Sequence, residues 1–322
     1  MRSLFLLPLA AALLAAPAAA QLLGVQVTSD NDAYDFWIPP RERPDYEYSN
    51  GIRIAAEMGG ARGWGRLARR VAPCAADGGE GAECTTTVEL GQRLYTARVD
   101  NAQPTPGSRH FAGWLYVGGT GQVVNGPVRH TFGAEVGVTG PPSLAAQLMK
   151  TVHSIGGFWN PDGWDHQLGF EPGVTLRYGV ERRLAEARVG GGRAAEVAVH
   201  AGAGAGNVYT GAQAGLQARA GLRLPDAWTA ARQRGPSLYV TGGVEGAAVA
   251  RNLFLDGNTF SGEPPRVHRK PLLANANWGI GAVVGGASLE YRVRTRTREY
   301  REEPGGHTYG SFEVTWRPAR PR

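Results

Sequence analysis

The stretch SLEYRVRTRTR, Ser288–Arg298, alternates without a slip. Leu289, Tyr291 and Val293 fall on one face; Glu290, Arg292, Arg294 and Arg296 fall on the other. A period of two is that of an extended strand with one apolar and one polar side. One such strand suits a soluble sandwich as well as a membrane barrel, because both turn polar groups toward water. The number of such strands decides between them.

Similar segments start near Leu22, Ser49, Thr85, Phe111, Val128, Leu168, Arg193, Ala212, Pro236, Leu272, Ala287 and Thr308. Gly-rich turns separate them, and the chain holds 47 glycines. Lengths and spacing predict an all-β fold, an antiparallel transmembrane β-barrel of about twelve strands. The last strand carries Phe312, Val314 and Trp316 on one side. Trp114, Tyr116, Tyr178, Tyr209, Tyr239 and Trp278 lie near strand ends, where interfacial girdles belong.

Residues 1–20 read as a secretory signal: Arg2, an apolar run from Leu4 to Ala16, and Ala18-Ala19-Ala20 before Gln21. Residues 21–322 are then the barrel domain, and none of its stretches reaches the roughly 20 apolar residues of a membrane helix. Cys74 and Cys84 form an even, close pair, expected as a local disulfide in an oxidising compartment, with a redox or metal pair as the other reading. The net charge of +6 fits either plain solubility or an anionic partner such as phosphate or lipopolysaccharide.

One segment leaves the period of two. PPSLAAQLMKTVHSIGG, residues 141–157, places Leu144, Leu148 and Val152 at helical spacing, with Ser143 to cap the start and Gly156 the stop. It predicts a short helix in an extracellular loop, with Gln147, Lys150 and His153 near one face. Twelve strands starting in the periplasm would send the loops after strands one, three and five to the same outer rim. Those loops hold TSDNDAYDF, DNAQPTPGSRHFAGW and the His153 helix, while the cysteines fall on the opposite side.

A histidine can take a proton from water near neutral pH. A calcium ion held by oxygen ligands could polarise an ester carbonyl, and Asp30, Asn31 and Asp32 offer such oxygens. The same three residues also suit an Asx-rich turn, and His153 also suits a solvated loop position. No G-x-S-x-G elbow, H-E-x-x-H, Cys/His zinc spacing or phosphate loop occurs.

Taken in order, NDAYDF…YSNGIRI, GQRLYT, SRHFAGWLY, GVTGPPSLAAQLMKTVH, GWDHQLGFEP and NLFLDGNTF resemble the LpxR family of outer-membrane lipid A 3′-O-deacylases over nearly the whole mature chain. The resemblance implies a twelve-stranded barrel and a calcium-dependent esterase. Its substrate would be lipid A in lipopolysaccharide of the outer leaflet, and its product the chain freed of the 3′-linked acyloxyacyl group. It implies that His153 is the general base and that Asp32 and Asn31 serve catalysis and hold Ca2+. Ser49 would help place metal or substrate, and Arg109 would contact a phosphate or carbonyl, with Gln147 and Lys150 also on the substrate side. Arg251, Arg266 and Arg269 are further outer-loop candidates for lipid A phosphates. The chain departs from the family at Ser108, at Arg109-His110-Phe111, and at Met149, where a glutamine is expected one turn before the histidine. Those departures keep open a non-catalytic barrel or pore of the same outline; an outer-membrane phospholipase with the same machinery is a third reading. A membrane-embedded monomer of the cell outer membrane with no nucleic-acid partner is expected.

Overall fold

A computed structural model describes residues 22–39, 46–59, 83–100, 103–156, 163–229, 235–262 and 264–318. The proposed signal segment and Cys74 lie outside them. Twelve strands close into one antiparallel barrel. They are β1 (Leu22–Asn31), β2 (Glu47–Gly59), β3 (Glu83–Thr96), β6 (Ala112–Asn125), β7 (Val128–Thr139) and β8 (Pro172–Val189). They continue with β9 (Gly192–Gly206), β10 (Tyr209–Leu222), β11 (Ser237–Asn252), β12 (Leu272–Val284), β13 (Ala287–Arg296) and β14 (His307–Trp316). Between β3 and β6, β4 (Val99–Asp100) and β5 (Gln103–Pro104) form a small ribbon. Closure is made by β1 on β14, from Val25↔Trp316 to Asn31↔Gly310. Every expected strand is present, its start within four residues of the expected position.

Turns of two residues join β6 to β7, β8 to β9 and β12 to β13 at one end. Most connections at the other end are long, and these carry α1 (Ala145–Gly156) and α2 (Leu253–Asp256). The three segments singled out above do share this long-loop end, because the strand count is even as expected.

Alternation sorts the side chains. Arg53, Glu89, Arg93, Glu135, Arg177 and Arg292 face cavities of about 300 to 610 Å³ inside the barrel. Their neighbours Ile52, Ile54, Leu90, Val136, Leu176 and Leu289 point out and are exposed. Inside, charges are paired across strands: Arg53–Glu89 at 3.0 Å, Arg93–Glu135 at 2.8 Å and Arg177–Glu135 at 2.6 Å. A lone charge enclosed in a protein is costly, so such a lumen is stable only when laced in this way.

Packed side chains narrow both mouths among the described residues. At the long-loop end Leu253 and Phe254 of α2 pack on Ala112, Trp114, Tyr116 and Leu168, and Phe254 stacks on Tyr95 at 4.4 Å. Asn252 caps α2 by accepting from the Phe254 N–H at 3.1 Å. At the short-turn end Trp228 is buried, donates to Glu181 at 2.8 Å and lies 4.2 Å beneath the Arg183 guanidinium.

Two expectations are corrected. Of the six proposed girdle aromatics, Trp114, Tyr116, Tyr209 and Tyr239 point inward, where Tyr116 accepts from Arg93 and Tyr239 donates to Glu290. Their positions in the alternation, rather than their nearness to a strand end, decide this. The outward aromatic cluster is instead Tyr34, Phe36, Trp37, Trp278, Tyr291 and Phe312. Nor does Ser143 cap α1. Its hydroxyl donates to Gly140 O at 2.6 Å, ending a 3-10 turn, and Leu144 enters the helix with a left-handed φ of 59°. The buried face of α1 is Ala145 and Met149, while Leu144 and Val152 are exposed.

The position of α1 decides the site. Leu94 and Phe111, which pack on Ala145 and Met149, belong to the outward set of the wall. Gln92, also outward, donates to Ser143 O at 2.5 Å. The helix therefore lies against the outside of the barrel, over β3 and β6. Gly113 permits this approach: a Cβ there would stand 2.2 Å from Ser143 Oγ and 2.3 Å from Ala145 Cβ. Gly113→Ala should lift α1 from the wall at a cost of about 1–3 kcal/mol. Hydrogen exchange should then rise in residues 140–156 while the barrel strands stay protected; unchanged exchange in α1 would refute the contact.

Candidate functional site

One lateral row of the sheet crosses the outer wall at the long-loop end. Asn31 of β1 pairs with Asn50 of β2, Asn50 with Leu94 of β3, and Leu94 with Gly113 of β6. All four belong to the outward set, and α1 rests on the last two. Ser49 sits at a register shift in β2 between Tyr48 and Asn50, and its hydroxyl is hydrogen-bonded to that of Thr96. Three distant stretches thus meet on the outside of the wall.

The chain leaves β1 through a single 3-10 turn, Asp32–Tyr34, folded over β14. Asn31 Oδ1 and Asp32 Oδ1 each accept from Ala33 N–H at 2.8 Å, and Asp32 is 6% exposed. Of the two readings of D-N-D, these hydrogen bonds are those of the Asx turn. Tyr34 fixes the turn, since its carbonyl accepts from the Tyr291 hydroxyl at 2.6 Å and its ring meets Phe312 edge-on at 5.2 Å. Asp30 points the other way, into the lumen, and accepts from Tyr48 at 2.8 Å and Ser311 at 2.6 Å.

Carboxylate and amide oxygens suit Ca2+ in kind. Among the described residues no three His, Cys, Asp or Glu side chains are grouped to hold a metal, so backbone, water or substrate oxygens would complete the shell around Asp32 and Asn31.

His153 is half-buried and follows Ala145 and Met149 at steps of four, so it continues the wall-facing line of α1. Gln147 and Lys150 are exposed. The structure therefore separates Gln147 from His153, which the spacing of three had put on one face. Met149 is 5% exposed and packs with Leu94, Phe111 and Trp164.

A family model described as outer membrane protein LpxR matches residues 4–318. The chain belongs to the LpxR family. Its barrel is thus an outer-membrane one, with the outward apolar band against lipid. Among solved structures it is similar to LpxR from Salmonella typhimurium, with 16% identity, 92% of this chain and 100% of that chain covered, and a TM-score of 0.74. The beta domain of the Bordetella autotransporter BrkA follows at 12% identity, 91% and 97% coverage and a TM-score of 0.45. The translocator domain of NalP from Neisseria meningitidis has 11% identity, 92% and 88% coverage and a TM-score of 0.42. No curated protein matches the chain by sequence.

Two positions where the chain departs from the LpxR pattern are buried parts of the loop structure. Ser108 Oγ accepts from Arg98 N–H at 2.7 Å, and Met149 fills the seam under α1. Arg109 has no exposed surface. It lies 3.3 Å from Glu47 and 3.1 Å from Glu299, with its guanidinium 4.4 Å over Tyr95. Burial alone would lower its pKa, but Glu299 and Glu47 outweigh that and raise it. A phosphate could reach it only by displacing those carboxylates. Glu47 itself holds a left-handed φ of 78° and accepts from the Tyr300 hydroxyl. Arg251 and Arg269 are likewise engaged, Arg251 with Asn207 O and Thr259, Arg269 with Asp256; Arg266 donates to Pro104 O at 3.4 Å. NLFLDGNTF proves to be the motif of the lumen stopper. Cys84, at the short-turn end, is disulfide-bonded; Cys74, the partner expected for it, lies outside the described residues.

Sequence reasoning missed Asn50, Thr96, Gln92 and Gly113. The signal for the first was present in Tyr-Ser-Asn-Gly; the others depend on strand register. It also missed the buried acids of the β13–β14 loop. Glu303 Oε1 has no hydrogen-bond partner among the described residues. Burial, then Glu47 and, against Arg296, Glu299 push its carboxyl up to about 7. A carboxyl that holds its proton more tightly when folded stabilises the fold fully below its ordinary pKa and loses that contribution as pH rises through the folded value. The melting temperature of the refolded protein should therefore fall from about pH 4.5 to about pH 7, and Glu303→Gln should flatten that slope. An identical slope in the variant would assign the effect elsewhere.

Proposed function

We propose that this protein is a lipid A 3′-O-deacylase acting from the outer wall of its barrel. The observation that carries the reading is the outward row from Asn31 to Gly113, roofed at one end by the helix that bears His153. A lumen site would be useless for a lipid. An outward site meets an ester whose acyl chains never leave the leaflet. The long-loop end would face outside, since outer-membrane barrels keep short turns in the periplasm.

In this reading His153 accepts a proton from a water as its oxygen attacks the acyl carbonyl. The bond to the sugar's 3′-oxygen then breaks, and the proton passes from His153 to that oxygen. Asp32 and Asn31 would hold a calcium ion, which supplies positive charge against the developing oxyanion. Ser49, tied to Thr96, keeps the β2 bulge in shape beside Asn31. Exposed Lys150 and Gln147 are available to the polar headgroup, while Arg109 positions the loops around the site rather than touching substrate.

The stopper of Leu253 and Phe254 at the long-loop mouth argues against an open pore. Met149 is the residue that favours the non-catalytic alternative, because a thioether core cannot replace an amide's hydrogen bonds. Lipid A mass spectrometry after expression in a host with fully acylated lipid A decides. Wild type should release the 3′-linked acyloxyacyl chain, His153→Ala should lower the rate by about 10²–10⁴-fold, and chelation should abolish activity of purified protein. Full deacylation by a folded His153→Ala would sink the base assignment, and loss of acyl chains from glycerophospholipids alone would favour the phospholipase.

A further inference from the structure

We propose that the lumen carries a binding site for a small oxyanion of the phosphate type, built by Arg294 with Arg296, Tyr95 and Tyr309. These residues line an internal chamber of about 390 Å³ below the α2 stopper. Four arginines line it, Arg53, Arg93, Arg294 and Arg296, against two acids, Asp30 and Glu313.

The other groups are already engaged. Arg53 pairs with Glu89 at 3.0 Å, and Arg93 pairs with Glu135 at 2.8 Å. The Asp30 oxygens accept from Tyr48 and Ser311. Arg294, in contrast, makes no hydrogen bond or ion pair among the described residues, although its side chain opens into the chamber. Arg296 lies 2.8 Å from Glu299 through Nη2, but its buried Nε has no partner among the described residues. Neither the Tyr95 nor the Tyr309 hydroxyl is hydrogen-bonded among the described residues.

Four guanidinium groups facing two carboxylates leave the chamber with an excess of positive charge, and Arg294, which forms no ion pair of its own, adds N–H donors to the two phenolic O–H groups that have no acceptor among the described residues. An oxyanion answers both needs, since its oxygens take charge-assisted hydrogen bonds from arginine and neutral ones from phenols. The chamber shares Arg53 and Glu313 with a cavity of about 300 Å³ that runs to Gly24 and Arg317 at the short-turn end. The opposite mouth is stopped by Leu253 and Phe254. The occupant is therefore a water-borne ion entering from the short-turn side, and not a lipid headgroup. Its chamber backs onto the outer-wall row: Asp30 and Tyr48 face in where Asn31 and Asn50 face out.

The test is calorimetric titration of refolded full-length protein in zwitterionic detergent with inorganic phosphate. Wild type should bind at one saturable site. Arg294→Gln should weaken binding by about tenfold or more, and Tyr309→Phe by less. Arg177→Gln, whose cation faces a neighbouring cavity and is paired with Glu135, should bind as wild type. No saturable binding by wild type would overturn the proposal. So would wild-type affinity in both Arg294→Gln and Tyr309→Phe, or an equal loss in Arg177→Gln. If Arg294→Gln fails to refold, Tyr309→Phe carries the test: a weakened isotherm supports the site, and an unchanged one overturns it. Phosphatidic acid added to the micelles should leave the phosphate isotherm unchanged; competition by the lipid would overturn the assignment to a free ion.

Discussion

Hydrocarbon offers no hydrogen bonds, so every backbone N–H and C=O within it must be paired inside the protein. Here that demand is met by the seam between the first and last strands, β1 on β14. Remove that seam and two strand edges face lipid, each with a row of unpaired groups. Closure fixes an even strand number, and alternation then fixes which half of the side chains meets lipid. The polar half is forced inward, where charges must pair or find a counter-ion. The charge-laced lumen is thus a consequence of closure, as is the apolar outer band.

The same constraint explains why the candidate site is outside. The lumen is divided by Arg–Glu pairs, stopped at the long-loop mouth by Leu253 and Phe254 and narrowed at the other by Trp228. A lipid ester has no path into it. The loop after β7 instead turns back along the outer wall, and a missing side chain at Gly113 lets a helix lie flat on β-structure. On the other flank the turn Asp32–Tyr34 folds over β14 and is pinned by Tyr291. The bare wall of β1 and β2 lies between these two outward-folded loops. The exposed aromatics Phe36 and Trp37, packed on Tyr291 and Trp278, extend that flank into the lipid.

The strands were legible because their period is a local property: a residue's face follows from its neighbour's, as SLEYRVRTRTR illustrates. The shared end of three loops was legible because parity needs only a correct count. The face on which α1 lies was not legible, since it depends on Gly113 meeting Ser143 and Ala145 from another part of the chain. Arg109 shows the same limit. Its sequence context suggests a ligand contact, yet Glu47, 62 residues earlier, and Glu299, 190 residues later, converge on it. Girdle aromatics were misread because nearness to a strand end says nothing of direction, which one residue of alternation reverses.

Alternation also ties the two faces of the wall together. Asp30 and Asn31 are consecutive, as are Tyr48 and Ser49; one of each pair looks into the lumen and the other lies on the outer wall at the candidate site. Gly51 shows how tightly the inner layer is set, since a Cβ there would stand 2.0 Å from the Tyr48 hydroxyl that reaches Asp30. A strand cannot shift its inner residue without moving the outer one. Whatever stabilises the Asp30–Tyr48–Ser311 arrangement therefore also holds Asn31 against Asn50, and the charge balance of the lumen becomes part of the geometry of a site that never faces it.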